Sequence, residues 1–448
     1  MGRIFGTDGA RGVANTELSC ELAMQIGRAA AVVLTAHNTE RPRVIIGRDT
    51  RVSSEMLGSA LIAGICSMGA DAEILGVVPT PAVAYLVDLY KADAGVMISA
   101  SHNPMEYNGI KLFSKDGYKL SDEIEEEIEA LIHSNLQGVP IKTGADIGRI
   151  YHNDNAAQDY VQYLKTTIDR DLRGIKVAID CANGSASATA RLLFDELGAD
   201  ALIINDVPDG KNINLNCGST HIEELAEFTK NHNCKLGIAF DGDADRCLAV
   251  DENGEFVDGD QLMGIFARHM MSNHTLADDT VVVTVMSNLG FLHFARREEI
   301  QTVITGVGDR YVLDKMLEGG YSLGGEQSGH IILSQYGKTG DGQLTAIQLL
   351  SIVKQYDLPF STLAAEIKRY PQILHNIRVT PSGMKRVEDS AQVNEFIAKH
   401  AAELGDDGRI LVRASGTEPL IRIMAEGKDY DRIKRIVEDI GKLIKSEM

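Results

Sequence analysis

The chain is 448 residues long and carries 64 acidic against 44 basic residues, a formal net charge of -20. That length exceeds what one hydrophobic core supports and predicts roughly three or four domains, while the acidic excess argues against nucleic acid or an anionic membrane surface as a partner. No segment approaches a membrane span, and the six cysteines (Cys20, Cys66, Cys181, Cys217, Cys234, Cys247) form no C-x-x-C pair, which fits small buried residues in a reducing compartment and not a zinc or disulfide framework.

The first residues, Met1-Gly2-Arg3-Ile4-Phe5-Gly6, lack the apolar stretch of a signal peptide and the hydroxyl of a myristoylation signal, so a soluble cytoplasmic protein is expected. A glycine-rich loop with one arginine, Phe5-Gly6-Thr7-Asp8-Gly9-Ala10-Arg11-Gly12, precedes a helix predicted from about Ser19 to Ala36. Arg43-Val44-Ile45-Ile46 reads as a strand ending in the charged loop Gly47-Arg48-Asp49-Thr50-Arg51, and an amphipathic helix leads on to Gly69 through Gly76. Gly95-Val96-Met97-Ile98 is a short buried strand that runs into Ser99-Ala100-Ser101-His102-Asn103-Pro104 and stops at the proline. Asn108-Gly109 predicts a turn, and Ile110-Lys111-Leu112-Phe113 a returning strand that carries a lysine. A hydroxyl on a tight loop at a strand's carboxyl end, with a cation nearby, suits a phosphorylated serine nucleophile. Taken alone, Ser99 and Ser101 read first as ordinary turn residues that bond their own backbone, because Ser/Asn/Pro clusters mark loops in most proteins.

A helix from Ser121 to Ile132 places Ile124, Ile128, Leu131 and Ile132 on one face, with its glutamates on a solvated outer face. Residues 137–148 are polar and rich in turn formers and read as a linker. The strand, helix, glycine, strand unit then recurs from Gly174 to Asn205, with a third copy at Thr302–Gly306 and Gly319–Leu323. The expected fold is therefore α/β: three tandem related α/β domains with mixed sheets, followed by a smaller α+β domain. In that last domain, strands are predicted at residues 373–379, 410–413 and 420–424, with helices near 390–404 and at the end of the chain. The boundaries expected are 1–148, 149–252, 253–369 and 370–448.

Three further loops carry candidate chemistry. Asp241-Gly242-Asp243-Ala244-Asp245-Arg246 follows the buried strand Leu236–Phe240, and alternate carboxylates can converge on Mg²⁺. An EF-hand shares the spacing, with Glu252 at its twelfth position, but Arg246 stands where that loop needs glycine. A haloacid-dehalogenase-like phosphatase also places Asp-x-Asp after a strand, with Asp241 as nucleophile, and a plain acidic turn is the third alternative. Gly324-Gly325-Glu326-Gln327-Ser328-Gly329-His330 offers side chains to a polar ligand, and Arg413-Ala414-Ser415-Gly416-Thr417-Glu418-Pro419 offers a guanidinium, two hydroxyls and a free N–H to a phosphate.

Together, and in this order, the loops at 99–104, 241–246, 325–330 and 413–419 resemble the four signature loops of the α-D-phosphohexomutases, and residues 5–12 resemble the start of that family. The resemblance spans essentially the whole chain. It implies four domains around one central cleft and an isomerase that moves a phosphoryl group within a hexose phosphate. Gln327 and the Ser-Gly-Thr-Glu form of the last loop are similar to the branch acting on glucosamine phosphates. The implied reaction is then interconversion of glucosamine 6-phosphate and glucosamine 1-phosphate, a step of amino-sugar metabolism toward UDP-N-acetylglucosamine and peptidoglycan precursors.

By the same resemblance Ser101 carries the phosphoryl group, and Mg²⁺ is held by Ser101 as phosphoserine with Asp241, Asp243 and Asp245. Lys111 and Arg11 handle protons and stabilise charge, with Arg246 and His102 beside the reacting group. Glu326 and Ser328 bind sugar hydroxyls, His330 is a substrate-side residue that contacts phosphate or orients the loop backbone, and Arg413, Ser415, Gly416 and Thr417 grip the phosphate that is not reacting. Glucosamine 1,6-bisphosphate is the implied intermediate and activator, the partner is a phosphosugar, and a homodimer is admitted. The alternatives are a phosphomannomutase/phosphoglucomutase of the same family, an aspartyl-nucleophile phosphatase and a Ca²⁺ sensor.

Overall fold

The computed structural model describes residues 3–6, 8–36, 41–414 and 420–447. The chain forms two compact units, Met1–Met286 with Ile300–Ala365, and Ser287–Glu299 with Glu366–Met448.

Among the described residues the first unit holds three sheets. Seven strands make the first, in the order Phe5–Gly6, Gly9–Val13, Tyr107–Ser114, Ala94–Ile98, Arg43–Arg48, Asp71–Val77 and Ile150–His152. Alternation along the central strands covers both faces. Val44, Ile46, Val96 and Ile98 pack with Ile26, Leu57, Leu61 and Ile65 of the helices Cys20–Leu34 and Val52–Ser67. Gly47 and Gly95 point the opposite way, where a Cβ on either would collide with Val83 or Val87 of the helix Thr80–Leu89. A sheet buried on both sides needs such continuous apolar strands. The helix that begins after Ser19 is capped there, because the serine hydroxyl accepts the Leu22 N–H at 3.2 Å.

Asn108 and Gly109, read from sequence as a turn, lie inside the strand Tyr107–Ser114. That strand pairs antiparallel with Ala94–Ile98, setting Ile98 opposite Ile110 and Met97 opposite Lys111, and on its other side with Gly9–Val13. The chain reverses earlier, across residues 101–106. Asn108 is buried and donates to Ser53 Oγ at 2.9 Å and Ser54 Oγ at 3.0 Å, while Gly109 leaves room for the Ser99 carbonyl. Packing overrides the local turn preference.

The second sheet runs Phe256–Val257, Cys247–Asp251, Leu236–Phe240, Lys176–Asp180 and Asp200–Ile204. Its strand–helix–strand unit closes as parallel neighbours, as the spacing predicts, and so does the first unit copy at Arg43–Arg48 and Asp71–Val77. In the third sheet Gln301–Thr305 and Leu323–Gly325 are not adjacent. The strand Thr280–Thr284 lies between them, parallel to both. Its Thr-Val-Val-Val-Thr run is too short and uniform to show a period.

The second unit has the sheet order Gln372–Arg378, Leu420–Gly427, Gly408–Ala414, antiparallel throughout. The helix Tyr430–Glu447 buries Ile433, Ile436, Val437, Ile440 and Ile444 in a core shared with Ile421 and Ile423. The helix Leu289–Arg297 belongs to this unit: Asn288 and Leu289 both donate to the buried carboxylate of Glu426. No helix among the described residues is long and apolar enough to cross a membrane.

Gly109→Ala should push the serine-bearing strand away from its neighbour and lower stability by about 1–3 kcal/mol. Urea denaturation checks this; an unchanged midpoint would mean that the strand pair opens freely.

Candidate active site

Ser101, Asp241 and Glu326 each follow the carboxyl end of a strand with a parallel neighbour: Ala94–Ile98, Leu236–Phe240 and Leu323–Gly325. Open α/β sheets place their ligands at such ends. Ser101 is buried in a left-handed conformation, φ 52°, uncommon for a serine. Its N–H donates to Ser99 Oγ at 3.0 Å, and its Oγ donates to Asp241 Oδ2 at 2.5 Å and lies 3.3 Å from His102 Nδ1. The two loops meet closely, since a Cβ on Gly242 would stand 2.5 Å from the Ser101 carbonyl oxygen.

Asp241, Asp243 and Asp245 are all buried, and each offers an oxygen within 4.8 Å of the others. The turn is tightened by Ala244 at φ 57°, whose N–H bonds the Asp241 carbonyl at 3.1 Å. Lys111 Nζ stands 2.7 Å from Asp243 Oδ2, 3.0 Å from Asp8 Oδ2 and 3.4 Å from Asp245 Oδ2. Asp8 in turn pairs with Arg11 and, at 2.6 Å, with Lys119, and Lys119 pairs with Asp309. The Arg246 N–H donates to Asp241 Oδ1 at 3.2 Å, and its Nε is 3.9 Å from Asp245 Oδ1.

Burial raises the Asp241 pKa well above the carboxylate range, and the charges of Asp245 and Asp243 push the same way. Burial also opposes ionisation of Asp8 and Asp245, yet Lys111 and the other cations outweigh it and hold both well below that range. Lys111 shows the reverse balance: burial disfavours its charge, but Asp243, Asp8 and Asp245 raise its pKa. Burial, with Arg246 and Arg11, lowers His102 to about 4, so a neutral imidazole sits beside Ser101 at neutral pH.

Buried polar atoms without a hydrogen-bond partner are rare in folded proteins, and here several belong to this site: Arg11 Nε, Asp243 Oδ1, Asp245 Oδ1 and Arg246 Nε; Ser328 Oγ, in the loop after Gly325, is another. The two orphan carboxylate oxygens, in a set of hard oxygen donors, fit a divalent cation such as Mg²⁺.

In the loop after Gly325, Glu326 Oε1 accepts the Gly308 N–H at 3.2 Å, and burial raises its pKa. His330 Nε2 accepts the Gly340 N–H at 3.0 Å, which leaves the ring proton of the neutral form on Nδ1, 3.7 Å from Asp245 Oδ2. Gln327, by contrast, donates to Asp258 Oδ2 at 3.2 Å, at the cap of the helix Gly259–Ser272. Glu252 is committed to Ser361, accepting from its N–H and hydroxyl at 3.1 and 2.5 Å, so the carboxylate an EF-hand would need is engaged elsewhere.

The first unit thus brings together Ser101, His102, Arg11, Lys111, the three aspartates, Arg246, Glu326 and His330, with Ser328 in the loop between the last two. Arg413 belongs to the second unit, where it stands opposite Arg422 in the strand pair; burial and Arg422 both lower its pKa. Ser415, Gly416 and Thr417 lie outside the described residues. Sequence reading missed Asp8, Lys119 and Asp309 as members of the network. Asp8 stands in a loop read as glycine-rich, and Lys119 and Asp309 lie outside the loops singled out from sequence as carrying chemistry; none had a signal beyond its charge.

Four models of one family match the chain: phosphoglucomutase/phosphomannomutase alpha/beta/alpha domain I at residues 2–138, domain II at 158–254, domain III at 258–370 and the C-terminal domain at 374–443. The chain belongs to the phosphoglucomutase/phosphomannomutase family, and its members are the α-D-phosphohexomutases that the motifs resemble. Phosphoglucosamine mutase of Clostridium novyi (strain NT) is 53% identical over 448 residues, covering 100% of this chain and 99% of that protein. The crystal structure of a phosphoglucomutase/phosphomannomutase family protein from Burkholderia thailandensis matches with a TM-score of 0.84 at 25% identity, covering 99% of this chain and 97% of that one. Aspergillus fumigatus N-acetylphosphoglucosamine mutase, solved with GlcNAc-6P and magnesium, shares the fold at a TM-score of 0.69 and 17% identity, over 99% of this chain and 96% of that one.

Mg²⁺ at a hundredfold excess over its dissociation constant should add about 2.7 kcal/mol to the stability of the native protein and nothing to an Asp243→Asn/Asp245→Asn variant. Equal thermal shifts in the two proteins would put the cation elsewhere. His102 gives a second test. Its folded pKa lies below the unfolded value, so the unfolded chain binds the proton first and stability should fall as pH drops from about 6.5 to about 4. In His102→Gln that part of the slope should vanish, as measured by urea denaturation in EDTA.

Proposed function

We propose that the chain is a phosphoglucosamine mutase, which interconverts glucosamine 6-phosphate and glucosamine 1-phosphate through a phosphorylated Ser101. The observation that carries this reading is Ser101 Oγ at 2.5 Å from Asp241, beside two carboxylates with orphan oxygens and a lysine 2.7 Å from one of them. The 53% identity to the Clostridium novyi enzyme supports glucosamine as the sugar.

In the first half-reaction the bond from phosphorus to Ser101 Oγ breaks, a bond from phosphorus to the free sugar hydroxyl oxygen forms, the sugar hydroxyl loses its proton and Ser101 Oγ gains one to become a hydroxyl. Glucosamine 1,6-bisphosphate then reorients, and its other phosphoryl group passes to Ser101 Oγ, which gives up its proton while the sugar oxygen released takes one up. Lys111 and Arg11 take the proton-handling and charge-stabilising roles. His102, neutral and 3.3 Å from Ser101 Oγ, can hold a proton at Nδ1, and Arg246 adds positive charge beside Asp241. Mg²⁺ held by Asp241, Asp243, Asp245 and phosphoserine supplies charge neutralisation to the transferring group. Glu326 and Ser328 bind sugar hydroxyls, and His330, whose Nε2 accepts the Gly340 N–H, contacts the substrate phosphate or orients the loop. Arg413, with Ser415, Gly416 and Thr417, grips the distal phosphate in both orientations. The bisphosphate is also the activator of a resting enzyme, and the reading includes four domains bounded at 148, 252 and 369, a cytoplasmic location and room for a homodimer.

Peptide mass analysis before and after incubation with glucosamine 1,6-bisphosphate and Mg²⁺ should find one phosphoryl group on Ser101. Label on Asp241 instead would make the protein an aspartyl phosphatase. Ser101→Ala should lower turnover on the order of a thousandfold or more. Arg413→Ala should raise KM for both glucosamine phosphates alike, by about tenfold to a hundredfold, as expected for a lost charged hydrogen bond. A loss confined to one isomer would remove Arg413 from the shared anchor, and faster turnover of mannose or glucose phosphates than of glucosamine phosphates would change the sugar.

A further inference from the structure

We propose that Arg51, together with Asp49, is a positioning residue of the mutase: its buried guanidinium sets the backbone of the serine loop and thereby the place of Ser101 Oγ. The proposal rests on the phosphoserine reading of Ser101.

Arg51 ends the charged loop that follows the strand Arg43–Arg48, and its side chain and that of Asp49 are both fully enclosed. Nε donates to Asp49 Oδ2 at 2.8 Å. Nη1 donates to the carbonyls of Pro104 at 2.5 Å and Tyr107 at 3.2 Å, and Nη2 to those of Ser101 at 2.9 Å and Asn103 at 2.8 Å. An arginine has five N–H donors, so every one is used and none is left for a ligand. Three of the five acceptors are carbonyls of the reversal that presents Ser101, and a fourth, that of Tyr107, opens the strand that follows it.

Asp49 binds the same loop from its other end. Its Oδ2 also accepts the Ser99 hydroxyl at 2.6 Å, and Ser99 Oγ accepts the Ser101 N–H at 3.0 Å. Oδ1 accepts the Arg51 N–H at 3.0 Å and Ser54 Oγ at 2.7 Å. Asn214, from the neighbouring loop, adds its amide to the Ser101 and Asn103 carbonyls at 2.9 and 3.1 Å. Both polar groups of the Ser101 backbone are therefore tied to one buried ion pair, and its left-handed conformation is imposed from outside the residue. Buried ion pairs add little net stability compared with a packed apolar pair, so this one is better understood through the geometry it imposes. A lysine could pair with Asp49 but could not span four carbonyls from one nitrogen.

The test is Arg51→Lys in the full-length enzyme. Because Arg51 has no donor to spare for substrate, KM should stay within about twofold while kcat falls about a hundredfold, the loss expected from a misplacement of about 1 Å. Phosphoryl transfer from glucosamine 1,6-bisphosphate to Ser101 should slow by the same factor, with binding of the bisphosphate unchanged. A folded Arg51→Lys enzyme with kcat within about threefold of the native value, or a loss carried by KM, overturns the proposal. If that variant does not fold, Ser99→Ala decides: a kcat loss of about tenfold is expected, and native turnover overturns it. Native enzyme that takes no phosphoryl group on Ser101 would sink the parent reading instead, a result visible before any variant is made.

Discussion

The site depends on mutual neutralisation of charges that have been taken out of water. Lys111 is almost fully buried, and so are the carboxylates of Asp243 and Asp245 that it meets; Asp8, less enclosed, bridges Lys111 to Arg11 and Lys119. Each of these ions alone would pay a large desolvation penalty, and removing one partner would strand the others. Asp241 is the odd member: it faces Ser101 and Arg246 instead of the lysine, and burial drives it toward the protonated form. A cation or a phosphate entering here changes the balance of every group at once. That coupling makes the cluster responsive to ligand charge in a way a hydrophobic pocket would not be.

The backbone brings these groups together with little help from long side chains. Ser101, Asp241 and Glu326 arrive at strand ends from three different sheets of one compact unit. Glycine allows the loops to approach: a side chain at Gly242 would strike the serine loop, and one at Gly259 would strike the carbonyl of Glu326. A net charge of -20 is no obstacle to holding a phosphate, because the cations that matter are gathered locally. Arg11, Lys111, Lys119 and Arg246 all stand within this one network, while Arg413 and Arg422 face each other in the second unit.

The contiguous loops were legible before any coordinates. Ser99–Pro104, Asp241–Arg246 and Gly325–His330 each put the required residue types side by side, and it is these loops in this order that resemble the family. Fold class was legible for a similar reason, since strand–helix–strand spacing is a local property. What escaped reading was non-local. Lys119 meets Asp8 across 111 residues and Asp309 across 190. The carbonyls that Arg51 holds lie 50 to 56 residues away. Thr280–Thr284 escaped because a short apolar run carries no period, and Asn108-Gly109 misled because its turn preference is weaker than the sheet it enters.

By itself, then, the sequence determined which chemistry the chain can carry and in which order its loops come, because hydroxyl, carboxylate and guanidinium groups must be encoded next to the turns that present them. Only the tertiary structure decided which charges neutralise one another, which glycines mark a collision and which buried arginine holds the serine loop. Those facts depend on strand order, and strand order is set by how apolar faces pack and not by neighbours along the chain.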